Sequence, residues 1–348
     1  LRGKGKLTYL TASAVTDDIL FFPDSTSIHA TEFHVGEKTT GIQYPEVAAQ
    51  QVDIQWYPHQ NDMHIWQTDQ AFSMYSGKST LEGYINLKPT GLIGRGKMDM
   101  QKATLESSHY DYEAQSFDAD TANFRLRTIN RDALAFSSDT LNAHIDYSYQ
   151  RARFRTIEDY TVAEFPQNLY LSYLDEFVWK MNQDELEIES TPRVNKGSEL
   201  ASLKDDDQRG ALYLSTHKEQ DSLRFTSPKT TFRLADTTLV SNEVQHLKVA
   251  DAQVFPDEKT LTVKKTASMD TLHNARLLAD RSKETPHEIF NADLKIKGRY
   301  DFGGQGDYEY TGQSRKPQIV HFSQVGVDDS IHTWAEGSAA VTDSFSLS

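Results

Sequence analysis

The 348-residue chain contains no cysteine. A disulfide framework, a cysteine zinc site and a thiol nucleophile are therefore excluded. Basic residues are also scarce: 36 Lys and Arg stand against 51 Asp and Glu, a net charge of −15. Nucleic-acid binding needs a basic face to replace condensed counterions, so no nucleic-acid partner is expected. The same balance disfavours docking on an anionic membrane surface. No apolar run approaches the ~18 residues of a membrane helix, so no transmembrane segment is expected. Neither a signal peptide nor an Asn-x-Ser/Thr sequon is visible. Hydrophobic residues make up only 37%, and many of them are aromatic: 17 Phe, 16 Tyr and 4 Trp. That mixture favours strands over helices. It also suits thin elements with much surface better than a compact enzyme.

What is present is repetition. Gly3-Lys4-Gly5-Lys6-Leu7-Thr8-Tyr9 returns as Gly94-Arg95-Gly96-Lys97-Met98-Asp99-Met100, an offset of 94 − 3 = 91. The same offset carries Ile19 and Phe21 onto Tyr110 and Tyr112, and Phe33 and Val35 onto Phe124 and Leu126. Apolar residues two apart have strand spacing. A looser echo at offset 179 − 56 = 123 relates Trp56, Met63 and Ile65 to Trp179, Leu186 and Ile188. Further alternating pairs, among them Ile85/Leu87, Leu212/Leu214, Leu294/Ile296 and Val325/Val327, recur every 8 to 15 residues between Asp, Asn, Gly or Pro. That cadence predicts an all-β protein. Duplication predicts an elongated repeat array, either a β-solenoid or an open β-jelly-roll.

One segment interrupts the cadence. Residues 191–210 hold Ser198-Glu199-Leu200-Ala201-Ser202-Leu203-Lys204, a short helix, followed by the acidic run Asp205-Asp206-Asp207. The expected organisation is a duplicated β region over 1–190, a boundary over 191–210 and a second β region over 211–348. A further loop is expected from Arg281 to Pro286. The start at Leu1, and a strand cut at Phe345-Ser346-Leu347-Ser348, suggest a piece of a longer protein.

Few motifs carry chemistry. Gly77-Lys78-Ser79-Thr80 lacks the glycine five residues upstream that a phosphate loop needs, since Phe72 stands there, and a strand follows instead of a helix. A hairpin turn is expected. Gly303-Gly304-Gln305-Gly306 reads as a turn or bulge. His29 and His34 are five apart, so on one regular strand they would point to opposite faces. His59 and His64 flank a turn, with Asp62 as the nearest further ligand, too few for a metal site. Arg151, Arg153 and Arg155 would share one exposed strand face. Asp118 and Asp120 would share a face about 6–7 Å apart. That spacing suits a paired carboxylate or calcium site, but the expected reading is a solvated strand face in an acidic protein. No catalytic residue, metal or cofactor is assigned.

The remaining signal is an aromatic stripe: Phe21, Phe33, Trp56, Phe72, Tyr84, Tyr110, Tyr112, Phe124, Tyr147, Phe177 and Trp179, all expected to face inward. Two readings stay open, a packed core and an apolar groove for acyl chains. For the groove the candidate lining is Phe21, Phe33, Trp56, Tyr110, Tyr112, Phe124 and Trp179.

The phrase Leu81-Glu82-Gly83-Tyr84-Ile85 … Gly91-Leu92-Ile93-Gly94-Arg95-Gly96-Lys97-Met98, with Phe117-Asp118-Ala119-Asp120-Thr121-Ala122-Asn123-Phe124, resembles the repeats of OstA-like lipopolysaccharide-transport β-jelly-roll proteins. The texture is similar to AsmA-like bridge proteins and to very large exported proteins of Bacteroidota. Val249-Ala250-Asp251-Ala252 has the same cast. The chain departs from the pattern in its acidity and long spacings. The resemblance implies a bacterial cell-envelope location, periplasmic or outer-membrane associated. It also implies a non-enzymatic, groove-forming array that carries or bridges envelope lipid. Two alternatives stand beside it: a structural spacer that pairs with neighbouring repeats of a longer chain, and a carbohydrate-binding or carbohydrate-cleaving β-helix.

Overall fold

The computed structural model describes residues 1–195, 197–204, 209–280, 286–311 and 317–338. Its Cα positions form two compact units. The first comprises Leu1–Thr161 and Val178–Asp184. It is built from β1 (Arg2–Tyr9), β2 (Ala12–Phe21), β3 (Thr26–Val35), β4 (Val47–Tyr57), β5 (Asp62–Gln67), β6 (Phe72–Met74), β7 (Ser79–Lys88), β8 (Gly91–Asp99), β9 (Ala103–Tyr112), β10 (Ser116–Arg127), β11 (Leu134–Asp146) and β12 (Arg151–Thr156). The chain passes between the units three times: within β13 (Thr161–Phe165), within β15 (Glu176–Lys180) and between Asp184 and Glu185, with β14 (Tyr170–Leu174) between the first two crossings.

The second unit, Val162–Phe177 with Glu185 onward, contains β16 (Glu185–Glu189), helix α1 (Glu199–Leu203), β17 (Ala211–Ser215), β18 (Arg224–Ser227), β19 (Lys229–Arg233), β20 (Thr238–Asn242), β21 (Leu247–Val249), β22 (Ala252–Phe255), β23 (Leu261–Val263), β24 (Leu272–Ala279), β25 (His287–Gly298), β26 (Asp301–Thr311), β27 (Pro317–Val327) and β28 (Thr333–Ser338). The boundary stretch 191–210 therefore lies inside this unit. Asp205–Asp207, Arg281–Thr285 and Phe345–Ser348 lie outside the described residues.

The fold is all-β with antiparallel sheets and, among the described residues, one short α-helix, as expected. Helix α1 starts where Ser198 caps it, its hydroxyl accepting the Ala201 N–H at 3.2 Å, and Leu200 is its buried anchor. From β1 to β4 and from β7 to β11, strands that follow one another pair side by side, whereas β14 pairs with β17 and β16 with β19. Each of these pairs is antiparallel, unlike the parallel coil-to-coil pairing of a β-solenoid. β5 and β6 act as one strand broken at residues 68–71, each pairing with both β4 and β7.

The offset of 91 is visible in three dimensions. Shifted by 91, β2 becomes β9 residue for residue. Leu7 faces Ala14, and its counterpart Met98 faces Leu105; Ala14 faces Phe33, and Leu105 faces Phe124. The register break between Gly3 and Gly5 recurs between Gly94 and Gly96. Even the side-chain stitch is copied. The Thr16 hydroxyl reaches the carbonyls of Asp18 (3.0 Å) and His29 (2.6 Å), and Ser107 reaches those of His109 (2.8 Å) and Asp120 (2.6 Å). The copies diverge at the next strand. Ile28 faces Ile54, but Ala119 faces Ala143 instead of position 54 + 91 = 145.

The bulges overturn one expectation. Gln51, Thr121 and Thr140 sit at positive φ (58°, 51° and 59°) inside strands, and the β2–β3 register breaks around Thr16. Each bulge reverses which parity faces the core. Ile28 and Ala30 are buried before the break, and Phe33 and Val35 after it. His29 and His34 consequently share the outer face, because the strand between them is not regular.

Most of the aromatic stripe is packed core. Phe33, Phe72, Tyr110, Tyr112, Phe124, Tyr147, Phe177 and Trp179 are buried. Phe124 lies 4.3 Å from Phe154 and 5.9 Å from Trp179 between ring centroids, and Tyr110 stacks on Tyr112 at 5.7 Å. Burial pushes the Tyr147 phenol up to about 12. Three members depart. Trp56 is half-buried against Tyr9 at 5.5 Å. Tyr84 is half-buried on the outer face. Phe21, the last residue of β2, is 42% exposed with its ring beside Gly3, whereas its counterpart Tyr112 packs against Phe117.

The two glycine motifs are structural. Gly77 lies in the turn before β7, at φ 82°. Gly303 to Gly306 lies within β26, where the register shifts, so it is a bulge and not a turn. β21, β22, β24, β25, β26, β27 and β28 form a seven-stranded sheet in that order.

Candidate functional site

The alternation that buries Met63 and Ile65 in β5 turns His64 and Trp66 outward. In β7 the same parity buries Ile85 and Leu87 and leaves Tyr84 facing out. Register then aligns these residues across six strands. Asp18, His29, Asp53, Trp66, Tyr84 and Arg95 are successive direct partners on β2, β3, β4, β5, β7 and β8. At about 4.8 Å per strand the row spans roughly 24 Å.

Its centre is aromatic. The His64 ring stacks 5.9 Å from Trp66 and 5.8 Å from Tyr84, and Trp66 lies 5.4 Å from Tyr84. Tyr57 meets His64 edge-on at 5.8 Å. The Arg95 guanidinium sits 5.2 Å over the Tyr84 ring. Trp66 remains 39% exposed. Polar contacts beneath hold the rings in place. His64 Nδ1 hydrogen-bonds the Tyr84 hydroxyl. Asn86, buried below, donates to Asp62 Oδ1 at 2.6 Å, while Lys88 Nζ and His64 Nε2 lie 3.3 Å from Asp62 Oδ2. Burial pushes the Asp62 carboxyl up, but Asn86, His64 and Lys88 together hold it below its usual range.

The flanks are polar. His29 Nδ1 contacts Asp53 Oδ1 at 2.8 Å and Nε2 contacts Gln51 Oε1 at 3.2 Å. The Asp53 bond raises the imidazole pKa above its ordinary value. A depression of about 320 Å³ lies here, lined by Asp18, His29, Asp53, Gln55 and Trp66. Beyond Tyr84 a second, of about 450 Å³, is lined by Arg95, Glu106, Ser108, Thr121 and Asn123, with Gly83 and Gly96 also lining it. These glycines face each other across β7 and β8.

The other candidates separate from this face's centre. Asp118 and Asp120 do share the outer face, both exposed, and Asp118 is tied to His144 at 2.8 Å. Asp111 lies directly opposite Asp118, and burial, then the neighbouring acids, push its carboxyl up despite His109. His59 is exposed in the turn after β4 while His64 belongs to the aromatic cluster. No group of three or more His, Asp or Glu could hold a metal ion among the described residues. Of the groove candidates, Phe33, Tyr110, Tyr112, Phe124 and Trp179 are occupied in packing against one another or the surrounding core. Trp66 is not among the residues that the aromatic stripe singles out, and Tyr84, which the stripe places inward, faces outward. The signal was present in both cases: residues beside an inward pair such as Met63/Ile65 or Ile85/Leu87 must face outward.

No protein-family model matches the chain, and no curated protein or solved structure shows significant similarity to it. No described helix is long and apolar enough to cross a membrane. The functional reading rests on the geometry.

Proposed function

We propose that the first unit is a non-enzymatic binding module that takes an extended, neutral glycan along its outer face. The observation that carries this reading is the exposed Trp66–Tyr84 pair in register with Asp18, His29, Asp53 and Arg95. Sugar rings present a C–H face that stacks on aromatic rings, and hydroxyls that pair with planar polar groups; aromatic side chains with one wet edge suit that chemistry. The row supplies both, at repeating strand spacing. The net charge of −15 disfavours an anionic polymer. An envelope location, as the resemblance implies, would place such a face among glycans. The burial of Tyr110, Tyr112, Phe124 and Trp179 removes the observation that motivated an acyl-chain groove.

A glycan array followed by calorimetry tests the reading. Trp66→Ala and Tyr84→Ala should each weaken binding about tenfold with unchanged melting, because both rings lie outside the core. Silence across neutral glycans, or undiminished binding by the Trp66→Ala, Tyr84→Ala double variant, refutes it. A structural spacer is the second reading. The copied register of β1–β3 in β8–β10 favours it, since duplicating a three-strand unit extends a sheet. Pulldown of flanking segments by an array-silent protein would favour the spacer.

A further inference from the structure

A cavity of about 420 Å³ opens in the second unit, on the seven-stranded sheet. Tyr308, Phe322 and Trp334 line it, with His287, His332 and the carboxylate of Asp251. Tyr308 stacks on Phe322 at 5.6 Å and 27°. The His287 ring packs 5.9 Å from Tyr308, its Nδ1 3.1 Å from the phenol oxygen. Two glycines make room for the rings. A Cβ on Gly337 would lie 2.8 Å from Phe322, and one on Gly326 would lie 3.4 Å from the Trp334 indole. Trp334 lines the cavity and is 37% exposed. Asp251 is fixed by Thr333, whose N–H and hydroxyl donate to Oδ1 at 2.9 and 2.5 Å.

The composition of this lining is selective. Aromatic faces carry partial negative charge, Asp251 adds a full one, and no Lys or Arg lines the cavity among the described residues. Rings beside a carboxylate attract a weakly hydrated organic cation more than a neutral or anionic guest. We propose that this cavity binds a quaternary ammonium group, either as a free small molecule or as the headgroup of a choline-type lipid. It is separate from the glycan face of the first unit.

Choline titrated into the full chain by isothermal calorimetry and saturation-transfer NMR tests the site. Saturable binding is expected, weakened about tenfold or more in Trp334→Ala and Asp251→Asn. The neutral isostere 3,3-dimethylbutanol should bind at least about tenfold more weakly than choline. Flotation with phosphatidylcholine vesicles distinguishes the sources: choline competition of vesicle binding assigns the headgroup, and choline binding without flotation assigns the free cation. Equal binding of choline and its neutral isostere would make the cavity a plain apolar pocket and overturn the proposal. So would absence of saturable choline binding, with or without vesicle flotation, or full binding by both folded variants.

Discussion

Replacing Gly96 by alanine, and separately Gly5, divides two costs that the duplication otherwise merges. The two glycines are equivalent under the offset of 91 and occupy the same bulge, at φ 146° for Gly5 and 133° for Gly96. An L-residue rarely adopts that conformation, at a cost of about 1–3 kcal/mol. Both variants should lose that amount. Their surroundings differ. A Cβ on Gly5 meets nothing within 4 Å, whereas one on Gly96 lies 2.2 Å from the Glu82 carbonyl oxygen and 2.9 Å from the Gly83 Cα. Backbone cannot yield as a flexible side chain would, so β7 and β8 must part locally. Losing about two ladder hydrogen bonds there adds roughly 2 kcal/mol at ~1 kcal/mol each. Gly5→Ala should therefore cost about 1–3 kcal/mol and Gly96→Ala about 3–5 kcal/mol.

Urea unfolding followed by tryptophan fluorescence in a Trp334→Phe background reads the first unit alone, because Trp56, Trp66 and Trp179 all lie there. Equal losses, within about 0.5 kcal/mol, would refute the reasoning. They would mean that the bulge conformation, and not strand approach, selects glycine at both places.

Other outcomes follow from the same geometry. Phe124→Ala should cost about 3–5 kcal/mol as a buried deletion, and Phe124→Asp more, while Phe21→Ala should stay below about 1 kcal/mol; comparable melting shifts for Phe21→Ala and Phe124→Ala would contradict the burial assigned here. Ser107→Ala and Thr16→Val each strip the hydroxyl stitch of a bulge, and each should lose about 1–3 kcal/mol in urea titrations; unchanged midpoints would show that water replaces the stitch. The His29 pKa is raised by its hydrogen bond to Asp53, so an NMR titration should place it above that of an ordinary histidine, and Asp53→Asn should lower it. The associated stability is fully present below the unfolded imidazole pKa and fades as pH rises through the raised one. A His29 titration unmoved by Asp53→Asn would remove the pair.

Much of the fold was legible because alternation is a local signal. Leu7, Ala14 and Phe33 and their counterparts Met98, Leu105 and Phe124 fix register through burial, and a one-residue slip would expose the whole set. Helix α1 was legible because all its residues lie within the one short segment from Ser198 to Lys204. What was not legible were events that break parity. Nothing in Ala30-Thr31-Glu32 marks a bulge, yet that bulge brings His29 and His34 to one face. Phe21 failed for another reason: its apolar character matches Tyr112, but burial depends on what covers a strand end. Cross-strand rows such as Asp53–Trp66–Tyr84 depend on register between separate strands, which no single segment carries.

The division of labour between copied and uncopied strands bears on how the site arose. In the first copy Asp18 faces His29; at the matching positions 18 + 91 = 109 and 29 + 91 = 120, His109 faces Asp120. The acid–histidine pairing persists while its two members exchange strands. Directly opposed side chains interact across the ladder whichever strand each stands on, so the exchange keeps the same two residue types face to face. The aromatic residues behave differently. Trp66 and Tyr84 stand on β5 and β7, in the segment between the two copies, and have no duplicate. The copied strands thus behave as scaffold, where complementarity matters more than identity. Trp66 and Tyr84 themselves recur at neither offset and face outward, and for that reason substitutions there, not at the histidine pairs, are the ones that should separate binding from folding.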